Sequence, residues 1–372
     1  MEENIKASNS GFLKGFFISL FCVALGAIGM YFIVQYLPGT TVINKSEKGV
    51  TVNENGIADA VDKVYDAVVV VQVYQNGKLY GYGSGFIFKR DGNKYYIMTN
   101  NHVVTGSTSV KVVLSDDASY DVQLLGSDKY LDIAIISFES DKDYTVAEIG
   151  SSADTRVGDT VFTVGAPIDS NIFSWTVTRG ILSGKDRLVS VSTNNNSNIA
   201  DYVRTALTTD AVINSGNSGG PLCNSNGQVI GITNMKLVSE GIEGMSFAIP
   251  MDDAIEYANK IINGEDVSRP SIGISTADVS NAAYLYYYYG ISIPSNVTEG
   301  VVVTNVFDNT PAKKAGIQTG DVILEINGKK ITSIAELKYE LFKYSVGDTV
   351  TLKYNHNGTE KEAKITLEKS NQ

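Results

Sequence analysis

At 372 residues the chain is long enough for two domains, or three with a small module. Hydrophobic residues at 43% against charged residues at 19% supply a sizeable core and exclude wholesale disorder, and a net charge of −11 excludes non-specific nucleic-acid binding, which needs a basic face. Two cysteines, Cys22 and Cys223, exclude a disulfide framework, because Cys22 lies in an apolar run that reads as membrane-spanning and is not expected to meet Cys223.

That run is the first element. From Phe16 to Leu37 (FFISLFCVALGAIGMYFIVQYL) no residue is charged, and 22 helical residues cross a hydrocarbon core of about 30 Å. A cleaved signal peptide is the rival, but its apolar region runs to about 7–15 residues before a small-x-small site, and neither feature fits YFIVQYLPGTT. The expectation is an uncleaved, single-pass anchor at 16–37, preceded by a tail at 1–15 and followed by a polar linker at 38–56. Lys6 and Lys14 before the run balance Lys45 and Lys48 after it, so these charges leave the orientation open.

From Ile57 to Asp66 the spacing of Ile57, Val61, Val64 and Tyr65 predicts a short helix. Strand-like runs follow with no long helix between them: AVVVVQVY, GSGFIFKR, KYYIMTN, SVKVVL, DVQLLGSD, LDIAIISF, TVFTVGAP, GILSG, QVIGIT and MSFAIP. Short strands rich in β-branched and aromatic residues, divided by Gly, Asn and Asp turns, indicate a barrel or sandwich rather than a parallel sheet. MDDAIEYANKIING then reads as a helix with Ile255, Ala258 and Ile262 on one face and Gly264 at its end. A second unit begins near Arg269 and mixes strand runs (SIGIS, GVVVTNVF, DVILEING, TVTLKYN, AKITLEK) with the helical pieces PAKKAG and SIAELKYELFKY, so a small α+β module is expected. Asn-Gly pairs at 327–329 and 356–359 mark hairpins. Between its first two strands, AAYLYYYYG presents tyrosines either as a packing surface or as a binding wall.

The stretch AVINSGNSGGPL (Ala211–Leu222) sets Ser218 among glycines. A surface turn is one reading; a nucleophile with room for substrate is the other. A serine hydroxyl needs a neighbouring base, and histidine is the natural one at neutral pH. The chain has two. His102 ends an apolar strand run in YYIMTNNHVVTG, whereas His356 sits in a hairpin turn and reads as simply exposed. The acid candidate is Asp132 in SDKYLDIAIISF, where it heads a run that reads as buried. An unpaired carboxylate is costly there, and a histidine ring N–H satisfies it while fixing the tautomer. Asp128 reads as a turn cap and Asp210 as a brace for the serine loop. GNSGG also fits G-x-S-x-G, the nucleophile elbow, but that arrangement places its histidine after the serine and leads into a helix. Here only His356 follows, and PLCNSNGQVIGIT reads as strand, turn, strand. The order His102, Asp132, Ser218 on a β-rich chain predicts a serine hydrolase on a chymotrypsin-like double β-barrel. The amides of Gly216 and Ser218, with Asn217 shaping the turn, are the predicted oxyanion hole.

TNNHVV, LDIAII, TDAVINSGNSGGPL and MSFAIP, in this order and followed by a small module, resemble the HtrA (DegP/DegS-like) serine proteases from about Ile57 to the C-terminus. The resemblance implies His102 as general base, Asp132 as its orienting acid and Ser218 as nucleophile in a protease domain at 57–265. Ser215 stands where the family has proline. It also implies a substrate pocket walled by Ile213 and the segment from Thr233, so Ile213, Thr233, Asn234 and Met235 are candidates favouring small or medium aliphatic side chains. The unit at 266–372 resembles a PDZ domain through GVVVTNVFDNTPAKKAGIQTGDVILEINGKKI. Its SIGI segment (Ser271, Ile272, Gly273, Ile274) matches the loop that captures a peptide's terminal carboxylate while the peptide adds to a sheet edge. Leu337 and Leu341 either line the pocket for the last side chain or pack the core. The resemblance further implies a homotrimer through the protease domains, no metal or cofactor, and a cytoplasmic tail at 1–15 with the protease and PDZ domains outside the cell membrane. The expected function is an endopeptidase that degrades or processes misfolded or unfolded proteins and binds peptide C-termini at its PDZ domain. Two alternatives stand: a regulatory protease cutting one membrane signalling partner, and a non-proteolytic chaperone or scaffold.

Overall fold

The computed structural model describes residues 10–36, 54–165, 175–191, 202–214, 216–234, 245–265 and 267–370. Residues 1–9 of the expected tail, Leu37 at the end of the expected anchor, 38–53 of the expected linker, Ser215 and Met235 lie outside the described residues.

Helix α1 (Ser10–Tyr36) begins ahead of the apolar run and carries it without interruption. Among the described residues it is the one helix long and apolar enough to cross a membrane, over Lys14–Tyr31. A helix suits that role because it satisfies its backbone polar groups internally. Cys22 is exposed on it, Cys223 is buried elsewhere, and both are free thiols.

The larger unit, Asn53–Gln372, opens with α2 (Glu54–Tyr65). Strands β1 (Val68–Gln75), β2 (Lys78–Asp91) and β3 (Lys94–Thr99) lead through the helical turn α3 (Asn101–Val104) to β4 (Ser109–Val113), β5 (Ser119–Asp121), β6 (Gln123–Asp128) and β7 (Ile133–Glu139). They form one antiparallel sheet in the order β5-β4-β1-β2-β3-β7-β6. Its central strands β1, β3 and β7 are apolar on both sides because both faces are covered there. Alternate residues such as Val69, Val71, Ile87, Ile97 and Ile136 make a core on one face. Val68, Phe86, Met98, Ile133 and Ile135 face the other way and pack with the next strands.

Those strands are β8 (Thr160–Gly165), β9 (Thr176–Val191), β10 (Tyr202–Thr209), β11 (Pro221–Asn224), β12 (Val229–Thr233) and β13 (Ser246–Pro250). They close into a barrel in the order β10-β13-β12-β11-β8-β9, filled by Val161, Leu182, Leu207, Leu222, Ile230 and Ala248. The barrel's outer residues Phe162, Val164, Ile232 and Ile249 meet the first sheet in a shared core. Helix α4 (Met251–Ile262) buries Met251, Ala254, Ala258 and Ile261 there. The expected stripe is thus rotated, with Ile255 and Ile262 half-buried at its border.

The remaining elements are β14 (Pro270–Ser271), β15 (Ile274–Asp278), α5 (Ala282–Tyr289), β16 (Val301–Val306), α6 (Pro311–Lys314), β17 (Val322–Ile326), β18 (Lys329–Lys330), α7 (Ile334–Leu341), β19 (Thr349–His356), β20 (Thr359–Thr366) and β21 (Glu368–Lys369). The sheet runs β15-β16-β17-β19-β20, with β18 beside β17, and β14 pairs with β21. Helix α7 starts where its sequence signals: Ser333 Oγ accepts from the Glu336 amide at 3.2 Å, and the Glu336 carboxylate reaches back to the Thr332 amide at 2.8 Å. The two Asn-Gly hairpins form as expected, joining β17 to β18 and β19 to β20. One expectation is corrected. His356 is not a bare turn residue: its Nδ1 lies 2.6 Å from the buried carboxylate of Asp321. Of the two readings left open for the tyrosines of α5, inward packing does not hold: only Leu285 of that helix is buried.

Candidate active site

His102 and Asp132 come from the first sheet and Ser218 from the closed barrel. The turn α3 follows β3 directly, so His102 emerges from a strand end held in the core. Asp132 sits just before β7 with φ 57°, a left-handed conformation that costs an ordinary residue about 1–2 kcal/mol. The neighbours over-determine it. The Asp132 carbonyl accepts from Asn100 Nδ2 at 2.9 Å and from the Asn101 amide at 3.1 Å. One carboxylate oxygen accepts from the His102 amide at 2.8 Å, and the other lies 2.6 Å from His102 Nδ1 and 2.7 Å from Asn234 Nδ2. The His102 ring is 23% exposed while the Asp132 side chain is 4% exposed. An ionised carboxylate at that distance assigns the proton to Nδ1 and leaves Nε2 as the acceptor nitrogen of the ring.

Burial works to raise the Asp132 carboxyl, but the hydrogen bonds and charge supplied by His102, with the charge of Arg204 behind, outweigh burial and hold it below the usual carboxylate range. Arg204 lies fully inside, on β10, and its Nη1 donates to the carbonyls of Tyr130 and Leu131, the two residues that precede the acid.

The serine loop is built by close approach. The Ser84 amide donates to the Ser218 carbonyl at 2.9 Å, and Ser84 Oγ donates to the Gly216 carbonyl at 2.6 Å. Thr99 Oγ1 in turn donates to the Ser84 carbonyl at 2.7 Å, so β2 and β3 hold the loop of the opposite barrel. Gly219 has φ 88°, and a side-chain carbon there would sit inside the Ser84 carbonyl, so only glycine passes. The Asn217 amide donates to the Asn214 carbonyl at 3.0 Å, which spends it on the turn. The amides of Gly216 and Ser218 flank it. Asp210 accepts from the Ile181 amide at 2.6 Å and braces the loop's entry against β9.

Two expected pocket residues are placed otherwise. Thr233 is fully buried, and its hydroxyl donates to the Asn217 and Gly220 carbonyls, so it supports the serine loop from behind. Asn234 is 1% exposed and points at Asp132. Thr233 ends β12 and Asn234 follows it, and their side chains are held by the serine loop and the acid instead of facing open space. Ile213 is half-buried beside the serine loop, its amide donating to Ser246 Oγ at 3.3 Å. Sequence reading missed Asn234, Asn100 and Arg204 as partners of the acid. The only signal was polar residues set against buried strands.

Between β14 and β15, Gly273 has φ 79° and packs on Thr310, where any side chain would overlap. Its amide donates to Ser271 Oγ at 3.1 Å. A cavity of 480 Å³ lies beside this loop, bounded by Ser271, Gly273, Ile274, Phe307 and Thr310. A smaller one of 120 Å³ is lined by Ile272, Ile274, Leu337 and Leu341, and also by Tyr130 and Phe342. Leu337 and Leu341 are buried core residues, as the packing reading expects, and they also border this cavity.

Residues 83–232 match the family described as trypsin-like peptidase domain, and residues 270–367 match the PDZ domain family. The chain is 38% identical over 330 residues to the serine protease Do-like HtrA of Bacillus subtilis (strain 168), covering 84% of this chain and 72% of that protein. It is 34% identical over 359 residues to the serine protease Do-like HtrA of Lactococcus lactis subsp. cremoris (strain MG1363), covering 89% and 87%. Among solved structures, the HtrA-type protease AlgW with decapeptide superposes with a TM-score of 0.62 at 27% identity, covering 85% of this chain and 99% of that one.

Proposed function

Because the chain belongs to the HtrA family of trypsin-like serine proteases, with a PDZ domain after the peptidase, we propose that His102, Asp132 and Ser218 are its catalytic triad. In this reading Ser218 Oγ attacks the scissile carbonyl carbon while His102 Nε2 takes the hydroxyl proton. The carbonyl electron pair moves onto oxygen, which receives hydrogen bonds from the Gly216 and Ser218 amides. Collapse of that intermediate breaks the C–N bond, and the leaving amine takes the proton from His102. Water, deprotonated by the same ring, then attacks the acyl carbon and releases the acid and Ser218. The observation that carries this reading is the grip of Asp132 on both the amide and the ring of His102.

The test uses the full chain in detergent micelles on an unfolded reporter protein, beside Ser218→Ala. Loss of a triad serine lowers turnover by roughly a million-fold. Cleavage retained by the alanine variant overturns Ser218 as the nucleophile, whereas a Ser218→Ala protein that keeps its full function in the cell favours the chaperone or scaffold alternative.

The domain division runs at 57–265 and 266–372 in this proposal, with α1 as a single-pass anchor that leaves both domains outside the cytoplasmic membrane. Unfolded or misfolded proteins are the substrates. Peptide C-termini bind along Ser271–Ile274, a reading supported by the glycine-bearing loop beside the 480 Å³ cavity. The solved AlgW structure was determined with a decapeptide. Assembly as a homotrimer through the peptidase domains completes the proposal. Its check is the mass of the detergent-solubilised chain by light scattering, which gives three chains per particle.

A further inference from the structure

We propose that the tyrosine face of α5 rests at the headgroup boundary of the bilayer that α1 spans; this rests on the anchored reading given above. From Val279 to Thr298 the chain carries no charged residue, in a protein whose charged residues make up 19% of the whole. Within that stretch α5 reads AAYLYYYY. Leu285 alone plugs into the sheet, among Ala277, Val279, Ile291, Val297 and Val302. The tyrosines splay outward, with Tyr286, Tyr287 and Tyr288 exposed by 68%, 81% and 67%. Ring contacts join them to one another: Tyr284 to Tyr288 at 4.7 Å, Tyr287 to Tyr288 at 5.0 Å and Tyr284 to Tyr289 at 5.8 Å. A contiguous exposed aromatic face of this kind marks an interaction surface.

Its chemistry selects the occupant. Tyrosine joins an apolar ring to a polar tip, which suits the level where acyl chains give way to headgroups. Charged side chains are disfavoured at that depth, and the segment has none. The same chain carries the span-length helix α1. Residues 37–53 connect it to the larger unit and reach at most about 60 Å fully extended. A tether of that length turns a weak surface contact into an intramolecular one. In sequence the segment is bordered by Asp278 and Glu299, and Glu299 is paired with Lys330, so the border carries no unpaired cation to draw it to anionic lipid. The contact therefore works by insertion of rings rather than by attraction to anionic lipid, and it is insensitive to salt.

The test places the full chain, Cys22→Ser with Tyr287→Cys, in phosphatidylcholine vesicles and attaches an environment-sensitive fluorophore at position 287, Cys223 being buried. A Tyr80→Cys partner reports a site of similar exposure, 73%, away from α5. Co-flotation after alkaline carbonate is scored first, then quenching by aqueous iodide and by spin-labelled lipid. The proposal expects flotation, iodide quenching several-fold weaker at 287 than at 80, strong lipid quenching at 287 alone, and no change in 0.5 M salt, which shortens electrostatic reach to well under about 10 Å. Flotation with equal iodide quenching at both sites overturns the surface contact and leaves the anchor standing. Failure to float overturns the anchor and this proposal together. Shielding from iodide without lipid quenching assigns the face to another protein surface, a second copy included, and also overturns it.

Discussion

Asp132 accepts from the His102 amide, from the His102 ring and from Asn234, while Asn100 and Asn101 hold its carbonyl. Removing one donor from a buried carboxylate costs about 1–3 kcal/mol. Asn234→Ala is therefore expected to lower kcat by about 10-fold or more with KM little changed, because it acts on the acid and touches no substrate. Steady-state kinetics on a peptide substrate check the split. Arg204 works one step further back. Its Nη1 holds the two carbonyls before the acid, its charge faces Asp132, and its Nε and Nη2 have no hydrogen-bond partner among the described residues. Arg204→Met leaves two buried acceptors open and takes a positive charge from beside the carboxylate, an expected loss of about 2–4 kcal/mol in urea unfolding. Arg204→Lys restores part of it. At Gly219 the constraint is steric. Gly219→Ala meets the Ser84 carbonyl in a left-handed conformation, so activity is expected to fall below detection even where circular dichroism shows a folded chain.

Between elements, the joint of α7 with β10 and the turn after β6 is held by one ion pair and an aromatic cluster. Arg269 Nε donates to Asp128 Oδ2 at 2.9 Å, with the two side chains 11% and 5% exposed. The Arg269 guanidinium also stacks 4.4 Å from the Tyr257 ring and 5.0 Å from Phe342. Phe342 lies 4.8 Å from Tyr130 and 5.5 Å from Tyr202. The other oxygen of Asp128 caps the turn, accepting from the Tyr130 and Leu131 amides at 2.9 and 2.6 Å. One side chain thus ties the turn that leads into Asp132 to the sheet that bears Ser271–Ile274. A double-mutant cycle with Asp128→Asn and Arg269→Met is expected to give a coupling of about 1–3 kcal/mol, well above an exposed pair, because both partners are largely dry. Additive effects in that cycle would mean the joint is held by the rings alone. The cap role of Asp128 was readable from its place before a tight turn; its ion pair, 141 residues away in sequence, was not.

For the molecule as a whole, acid stability follows from the buried acid. The Asp132 carboxyl is held below its ordinary value near 3.9, so its contribution is complete at neutral pH and is lost as pH falls through the lower folded value. In the Ser218→Ala background, unfolding of Asp132→Asn should therefore differ most from its parent above about pH 5, the gap closing as pH falls below about 4. Asp253 acts in the opposite sense: burial and neighbouring Asp252 push it up, so the folded state holds its proton more tightly and gains as pH falls. The amino-acid sequence by itself determined the β-rich peptidase, the small module after it and the apolar helix before it, and it named the residues proposed for the chemistry. Strand alternation, Asn-Gly turns, two histidines and a glycine-bound serine are local signals, and each survives without knowledge of its neighbours. Tertiary structure alone decided which face each strand end presents. It turned Thr233 and Asn234 from pocket wall to support, joined His356 to Asp321 and Asp128 to Arg269, and left the tyrosines of α5 outside. Those outcomes depend on packing between residues far apart in the chain, where a side chain's partner is fixed by geometry and its own identity only limits the choice.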